Sequence, residues 1–340
     1  MFKNTMIKPV LLAVLLSALL PLQIVNAAEK TIKNFIFFNL DRERINESSF
    51  LNNSNVIGAQ LKYRWSELEP NKDQYEFADI KADLAYLTQH NKQLFIQLQD
   101  ISFTESGVNV PDYIINEPQY NGGVAVQYQL KQGDVIIGED GRVARRWDKN
   151  VAARFYKLLD ALGAEFDGKI AGINLAETAI EFGETGKLYP DGFTPKIYHQ
   201  AILNQMAALK TAFPKSVAMQ YANFMPGEWL PWEDKGYLTS LYEFAAKNNI
   251  GMGGPDIKVY RKAQMNHSYK FLKQYAGKIT SGMAVQYGNY QIINPKTSQQ
   301  VTVEEIYNFG RDEAAADYIF WSTQQPFYGQ DVLPFIAALK

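Results

Sequence analysis

The chain has 340 residues, with 34 Lys and Arg against 36 Asp and Glu, and its formal net charge of −2 offers no basic excess for nucleic acid or an anionic membrane. It contains no cysteine, which excludes disulfides, thiolate-ligated zinc and a lipidated amino terminus. Its 20 Tyr, 20 Phe and 5 Trp make up 13% of the chain, which suits either a well-packed core or a cleft that stacks aromatic rings on sugars.

Lys3 and Lys8 give a positive start, VLLAVLLSALL (10–20) is an apolar centre, and VNA (25–27) is a small-residue cleavage site. This is the pattern of a secretion signal, and its apolar part is too short to span a bilayer as a mature helix. The sequence therefore predicts a signal peptide over 1–27 and one domain over 28–340, periplasmic or secreted, with no membrane contact after cleavage.

Apolar and β-branched runs then alternate with helical patterns. The first three runs are KNFIFFNL (33–40), NVIGAQLKYRW (55–65) and KQLFIQLQ (92–99). Between the last two, residues 77–91 place Ile80, Leu84 and Leu87 on one helical stripe. An irregular insert runs from Ile101 to Trp147 and reads as a hairpin or lid, with EDG (139–141) as its turn. A helix with Ala152, Phe155, Leu158, Leu159 and Leu162 on one face follows, then the run KIAGINLAE (169–177). The helix over 197–213 carries Ile202, Met206 and Leu209 on its stripe. The remaining runs are SVAMQYANF (216–224), NIGMGGPDI (249–257), SGMAVQYG (281–288) and DYIFWS (317–322), with helices expected over 238–247, 260–276, 302–315 and 331–339.

Strands alternating with helices imply parallel pairing through right-handed crossovers, and eight such units imply a (β/α)8 TIM barrel. An open doubly wound sheet would usually carry a Gly-rich turn after its first strand, and FFNLDRER (37–44) has no glycine. Barrel enzymes keep their chemistry at the carboxyl ends of the strands. Those ends present Arg42, Arg64, Trp65, Gln99, Asp100, Glu177, Tyr221, Asn223, Asp256, Gln286, Tyr287 and Trp321. Such a polar and aromatic rim suits a hydrogen-bonding, ring-stacking ligand, and no phosphate cradle accompanies it. The expected substrate-binding set is Arg64, Trp65, Gln99, Tyr221, Asn223, Gln286, Tyr287 and Trp321. The three histidines, His90, His199 and His267, all fall away from strand ends, so neither a metal site nor a Ser-His-Asp triad is expected, and no cofactor.

Residues 58–99 carry a more specific pattern: Trp65, Glu69 and Pro70 match W-x-x-x-E-P, with Tyr75 and Phe77 after them. This stretch resembles the second and third βα units of clan A glycoside hydrolases, the barrel of β-galactosidases and cellulases. The resemblance implies a general acid/base glutamate at the end of the fourth barrel strand, usually after Asn; Glu177 stands there, after Ala176. It implies a nucleophilic glutamate at the end of the seventh strand, where this chain has Gln286. It also implies a tryptophan flooring the sugar site from the eighth strand, which Trp321 matches.

An amide cannot capture an oxocarbenium-like centre as a carboxylate does. Glu304 and Glu305 lie on the following helix and read as solvated. Asp256 is the best second carboxylate; as base opposite Glu177, with one strand between them, it suits the roughly 6.5–9.5 Å spacing of an inverting mechanism. Glu228 is a weaker rival, beside Trp229 and Trp232, while Glu181 and Glu184 read as loop charges and Glu177 itself could instead pair with Arg64. The expected function is hydrolysis of an oligo- or polysaccharide. The alternatives are a glycan-binding barrel without turnover, or a polysaccharide lyase using Tyr221 or Tyr287 as base beside Arg64 or Arg42.

Overall fold

Each of the eight apolar runs forms a strand. The computed structural model describes Met1 and residues 31–339, so the expected secretion signal lies outside the described residues. In chain order the strands are β1 (Lys33–Asn39), β2 (Val56–Arg64), β3 (Gln93–Gln99), β4 (Val124–Lys131), β5 (Val135–Ala144), β6 (Gly172–Leu175), β7 (Val217–Tyr221), β8 (Gly251–Gly254), β9 (Ser281–Val285) and β10 (Tyr318–Ser322). Leaving out the β4–β5 hairpin, they close into a ring in the order β1-β10-β9-β8-β7-β6-β3-β2, with every pair parallel. The fold is a (β/α)8 barrel.

Alternation along the strands divides two cores. Phe35, Phe37, Phe95, Met219, Tyr221, Ala284, Tyr318 and Phe320 fill the inside of the ring, while Ile36, Phe38, Ile96, Leu98, Ile173, Val285, Ile319 and Trp321 belong to the core beneath the helices. The inner filling is lopsided. Phe95 and Phe320 meet at 4.8 Å and Phe35 and Phe95 at 6.0 Å. The wall opposite is nearly bare: a Cβ on Gly172 would lie 2.6 Å from Phe95, one on Gly282 2.7 Å from Met219, and one on Gly253 1.9 Å from the Gly282 carbonyl. The Phe95 ring thus needs glycine on β6, Met219 needs it on β9, and the close approach of the β8 and β9 backbones needs it at Gly253.

Above the rings lies a polar layer. The Gln60 amide donates to Asn174 Oδ1 at 2.9 Å and to the Tyr221 hydroxyl at 3.2 Å, all three being buried.

The helices Ala78–Gln89, Lys149–Phe166, Pro195–Ala212, Tyr237–Asn248 and Val303–Asp312 form where the periodicity places them, and several carry polar starts. Asp148 accepts from the backbone of Asn150 and Val151, and Thr194 from Ile197 ahead of a first-turn proline. Thr302 and Glu305 form a capping box. The helix expected over 260–276 is instead two, Lys262–Asn266 and Ser268–Gln274. They part at His267, whose ring is committed on both sides: Nδ1 meets the Ala263 carbonyl at 2.7 Å and Nε2 accepts from Leu230 N at 3.0 Å. The final helix is Leu333–Ala338, entered through a π-helical turn at Tyr328–Val332.

The insert after β3 is a hairpin, but EDG is not its turn. The chain reverses at residues 132–134, where Gly133 (φ 77°) and Asp134 (φ 59°) are both left-handed. EDG makes a bulge inside β5: Gln127 opposes Gly141 while Tyr128 opposes Glu139. Gly141, at φ 113°, lets β5 pass against the Ser102 carbonyl, where a Cβ would sit at 2.0 Å.

The W-x-x-x-E pattern has a structural use. Trp65 Nε1 donates to Glu69 Oε2 at 2.9 Å, and Glu69, fully buried, pairs with Arg154 from the helix Lys149–Phe166. Arg154 also reaches Asp73 at 2.8 Å. Removing Arg154 strands a buried carboxylate, so Arg154→Ala should lower the unfolding free energy by about 3–5 kcal/mol in urea titrations, whereas a Glu69→Gln/Arg154→Met double variant should lose less.

Candidate functional site

The chain leaves β6 at Leu175 and its path onto the barrel mouth is fixed by main-chain bonds. Gln220 Nε2 donates to the Ala176 carbonyl at 2.7 Å, Thr178 N donates to Tyr221 O at 3.1 Å, and Arg146 donates to the Glu177 carbonyl at 2.9 Å. Arg146 itself is sealed, 1% exposed, in a two-bond pair with Asp100 at 2.6 and 2.7 Å. Its remaining donor capacity reaches the Tyr198 hydroxyl at 2.8 Å.

The Glu177 side chain is thereby left with an amide rather than a cation. Asn223 Oδ1 accepts from Ala179 N at 3.3 Å and Phe224 N at 3.0 Å, which turns its Nδ2 to Glu177 Oε2. The resemblance places Asn directly before the glutamate; here an amide reaches Glu177 from the end of β7. Burial pushes the Glu177 carboxyl up to about 7; the Asn223 bond opposes that rise, the Asp256 charge adds to it, and Arg146 and Lys258 oppose it.

Asp256 follows β8 as Glu177 follows β6, and because the strands run parallel both residues lie at the same end of the barrel. Asp256 Oδ1 accepts from Asn289 at 2.9 Å and its Oδ2 pairs with Lys258 at 3.0 Å. β9 ends at Val285, so Gln286 directly follows the strand and an amide does occupy that end. Its backbone N–H is held by Asn289 Oδ1 at 3.0 Å. Asn289 therefore links Asp256 and Gln286.

The other expected residues divide. Gln99 is buried at the end of β3. Arg64 pairs with Glu67 at 3.0 Å, not with Glu177. Tyr287 is 62% exposed at the rim, its hydroxyl 3.4 Å from Thr323. Three aromatic expectations need correction. Trp65 is fully buried against Phe155 and bonded to Glu69. Tyr221 lies inside the barrel with its hydroxyl on Gln60, below the mouth, which also removes it as a lyase base. Trp321 is on the helix-facing side of β10, fully buried, with Nε1 on Asn34 at 2.9 Å; Phe320 takes the inward place.

Glu228 is a helix-terminus carboxylate. It accepts from the backbone of Lys235, Tyr237 and Leu238 at 2.8–3.1 Å, at the start of Tyr237–Asn248. Arg42 is taken by Asp83 and Asp79.

Sequence reasoning passed over Lys62, Arg146 and Lys258. Lys62 shares parity with Gly58, Gln60 and Arg64 on β2, so alternation alone could have aimed it inward. It is half-buried, its ammonium lies 5.7 Å from the centre of the Phe37 ring, and burial lowers it to about 8, with Arg64 adding to the fall and Glu177 opposing it.

Three cavities reach Lys62, Lys258 and the loops after β6 and β7, and neither Glu177 nor Asp256 lines any of them. One of about 760 Å³ lies between the hairpin and the loops after β6 and β7, and is lined by Phe103, Glu181, Glu184, Phe224 and Trp229. A second, about 660 Å³, shares Trp229 and extends to Trp232, Lys258 and Tyr260. The third, about 510 Å³, holds Arg42, Lys62 and Arg64. Trp229 is stacked on Phe224 at 5.8 Å and 12°, half its surface open between the first two cavities. Among the described residues no cluster of three or more His, Asp or Glu is arranged to hold a metal ion.

No family model matches the chain, and no curated protein matches it. Solved structures do. The catalytic domain of a β-amylase from Paenibacillus polymyxa aligns at TM-score 0.54 and 8% identity over 87% of this chain and 93% of its own. Xylanase 10B from Thermotoga petrophila aligns at 0.50 and 10% over 86% and 82%. A β-galactosidase from Bacillus circulans sp. alkalophilus aligns at 0.54 and 9%, over 87% of this chain and 50% of that one. At these identities the likeness is one of fold.

Between pH 4.5 and about 7 the folded chain holds a proton on Glu177 that the unfolded chain releases, so stability falls as pH rises through that window. Glu177→Gln removes the effect. Urea unfolding should find the variant more stable than the parent at pH 8, by on the order of 1–3 kcal/mol, and close to it at pH 4.

Proposed function

We propose that the chain is a glycoside hydrolase of the periplasm or extracellular space, acting on an oligo- or polysaccharide with Glu177 as general acid. The observation that carries this reading is the carboxyl at the end of β6, desolvated and pushed up to about 7 at a barrel mouth. Such a group keeps its proton on about half of the molecules at pH 7, as a leaving-group acid working near neutrality needs. The shared fold of a β-amylase, a xylanase and a β-galactosidase supports the choice of reaction class.

Glu177 gives its proton to the glycosidic oxygen as the bond from that oxygen to the anomeric carbon breaks. Asp256, one strand beyond β7, takes a proton from the water that attacks that carbon from the other face. The new carbon–oxygen bond forms as the old one is lost, and the configuration inverts. Lys258 and Asn289 orient the Asp256 carboxylate. Gln286 contributes a neutral amide where a retaining mechanism would need its nucleophile.

That amide also favours a second reading, a barrel that binds glycan without cleaving it. Product release across a panel of polysaccharides separates the two. Under the first, reducing ends appear, Glu177→Gln and Asp256→Asn each lower kcat by roughly 10²–10⁴-fold with binding retained, and kcat/KM declines above about pH 7. Full turnover by Glu177→Gln would refute the assignment, and binding with no product from any glycan would favour the second.

A further inference from the structure

The mouth contains cations that the protein does not neutralise. Arg42 is paired with Asp79 and Asp83, Arg64 with Glu67, Lys258 with Asp256 and Arg146 with Asp100. Lys62 has no ion pair and no hydrogen bond at its ammonium among the described residues; the face of Phe37 lies 5.7 Å away, and the one carboxyl that acts on it is that of Glu177, beyond ion-pair distance. Arg261 and Lys262, in the second cavity, likewise have no carboxylate partner, and Lys262 lies 5.9 Å over the Trp232 ring.

Their placement in the ring gives these charges a direction. β2, which bears Lys62, and β8, whose following loop bears Arg261 and Lys262, are four places apart in a ring of eight, so they stand opposite each other. β6, with Glu177, lies two places from each. A chain laid across the mouth from β2 to β8 has β6 a quarter-turn to one side at its midpoint.

We propose that the substrate is an acidic glycan, with one anionic sugar on Lys62 and another on Arg261 and Lys262, on either side of the bond at Glu177. The inference rests on the glycan reading of the site and names its substrate class. The Phe37 face and the more distant Glu177 carboxyl repay only part of the hydration that a half-buried ammonium loses, and an arriving anion supplies the rest. Trp232, 66% exposed, supplies a ring beside the second pair of charges, as sugar binding needs. A neutral glycan would leave all three cations unanswered.

The test is calorimetric binding to Glu177→Gln, which removes turnover, of oligogalacturonate, sulfated galactan oligosaccharides and neutral xylo-oligosaccharides of equal length. At least one acidic series should bind about tenfold or more tighter than the neutral one, and weaken as salt rises from 50 to 500 mM. The carboxylate and sulfate arms show which anion is read. Lys62→Met should remove about tenfold or more of the acidic affinity and leave any neutral binding unchanged. Arg261→Ala/Lys262→Ala, on a surface loop, should weaken the same ligands without lowering Tm. Neutral ligands binding as tightly, or acidic binding indifferent to both sets of changes, would overturn the inference alone. No binding by any of the three series would overturn it together with the glycan reading.

Discussion

A guanidinium and a carboxylate shut away from water organise everything above the ring. Arg146 and Asp100 are 1% and 2% exposed, and burying them is costly unless every donor and lone pair is answered. Here they are. Two bonds join the pair, a third runs to the Glu177 carbonyl and a fourth to Tyr198, whose hydroxyl in turn reaches the Thr178 carbonyl. The end of β3, the base of the hairpin, the loop after β6 and the helix Pro195–Ala212 thus meet at one charge. The backbone pairs Ala144 with Asp100 and Ser102 with Arg142 fasten the insert at that same place.

This arrangement also explains the acid. Arg146 holds the Glu177 carbonyl, and Asp100 already balances its charge. What reaches the Glu177 oxygen is an amide, which is a weaker inducement to ionise than a guanidinium. The protein therefore gains nothing in stability from this carboxyl at neutral pH. A residue that works against the fold in this way fits a chemical duty better than a structural one.

Much of the architecture was legible in the chain because a barrel strand buried on both faces leaves a continuous apolar run, and the helices between carry an unmistakable 3.6-residue stripe. Glu177 and Asp256 could be picked out because they interrupt or follow such runs. Tryptophans misled for the same reason: a run apolar on both faces does not say which face a ring takes, and Trp321 points to the helices while Phe320 points inward. EDG reads as a turn by composition, but Gly133 and Asp134 supply the left-handed pair that a hairpin reversal needs. Arg146 was invisible because its partners are 31 to 52 residues away in sequence. Lys62 was legible by parity and hidden by its type, since a lysine in a strand usually marks a solvated face.

The bonds that hold residues 177 and 286 have a further implication. Arg146 holds the carbonyl of the first and Asn289 the N–H of the second, so both loops are fixed through the main chain. Neither side chain is asked to shape the backbone that carries it. Side chains at these two positions can therefore be exchanged without unfastening either loop, so the groups presented at the mouth and the path of the backbone that carries them are set by different residues.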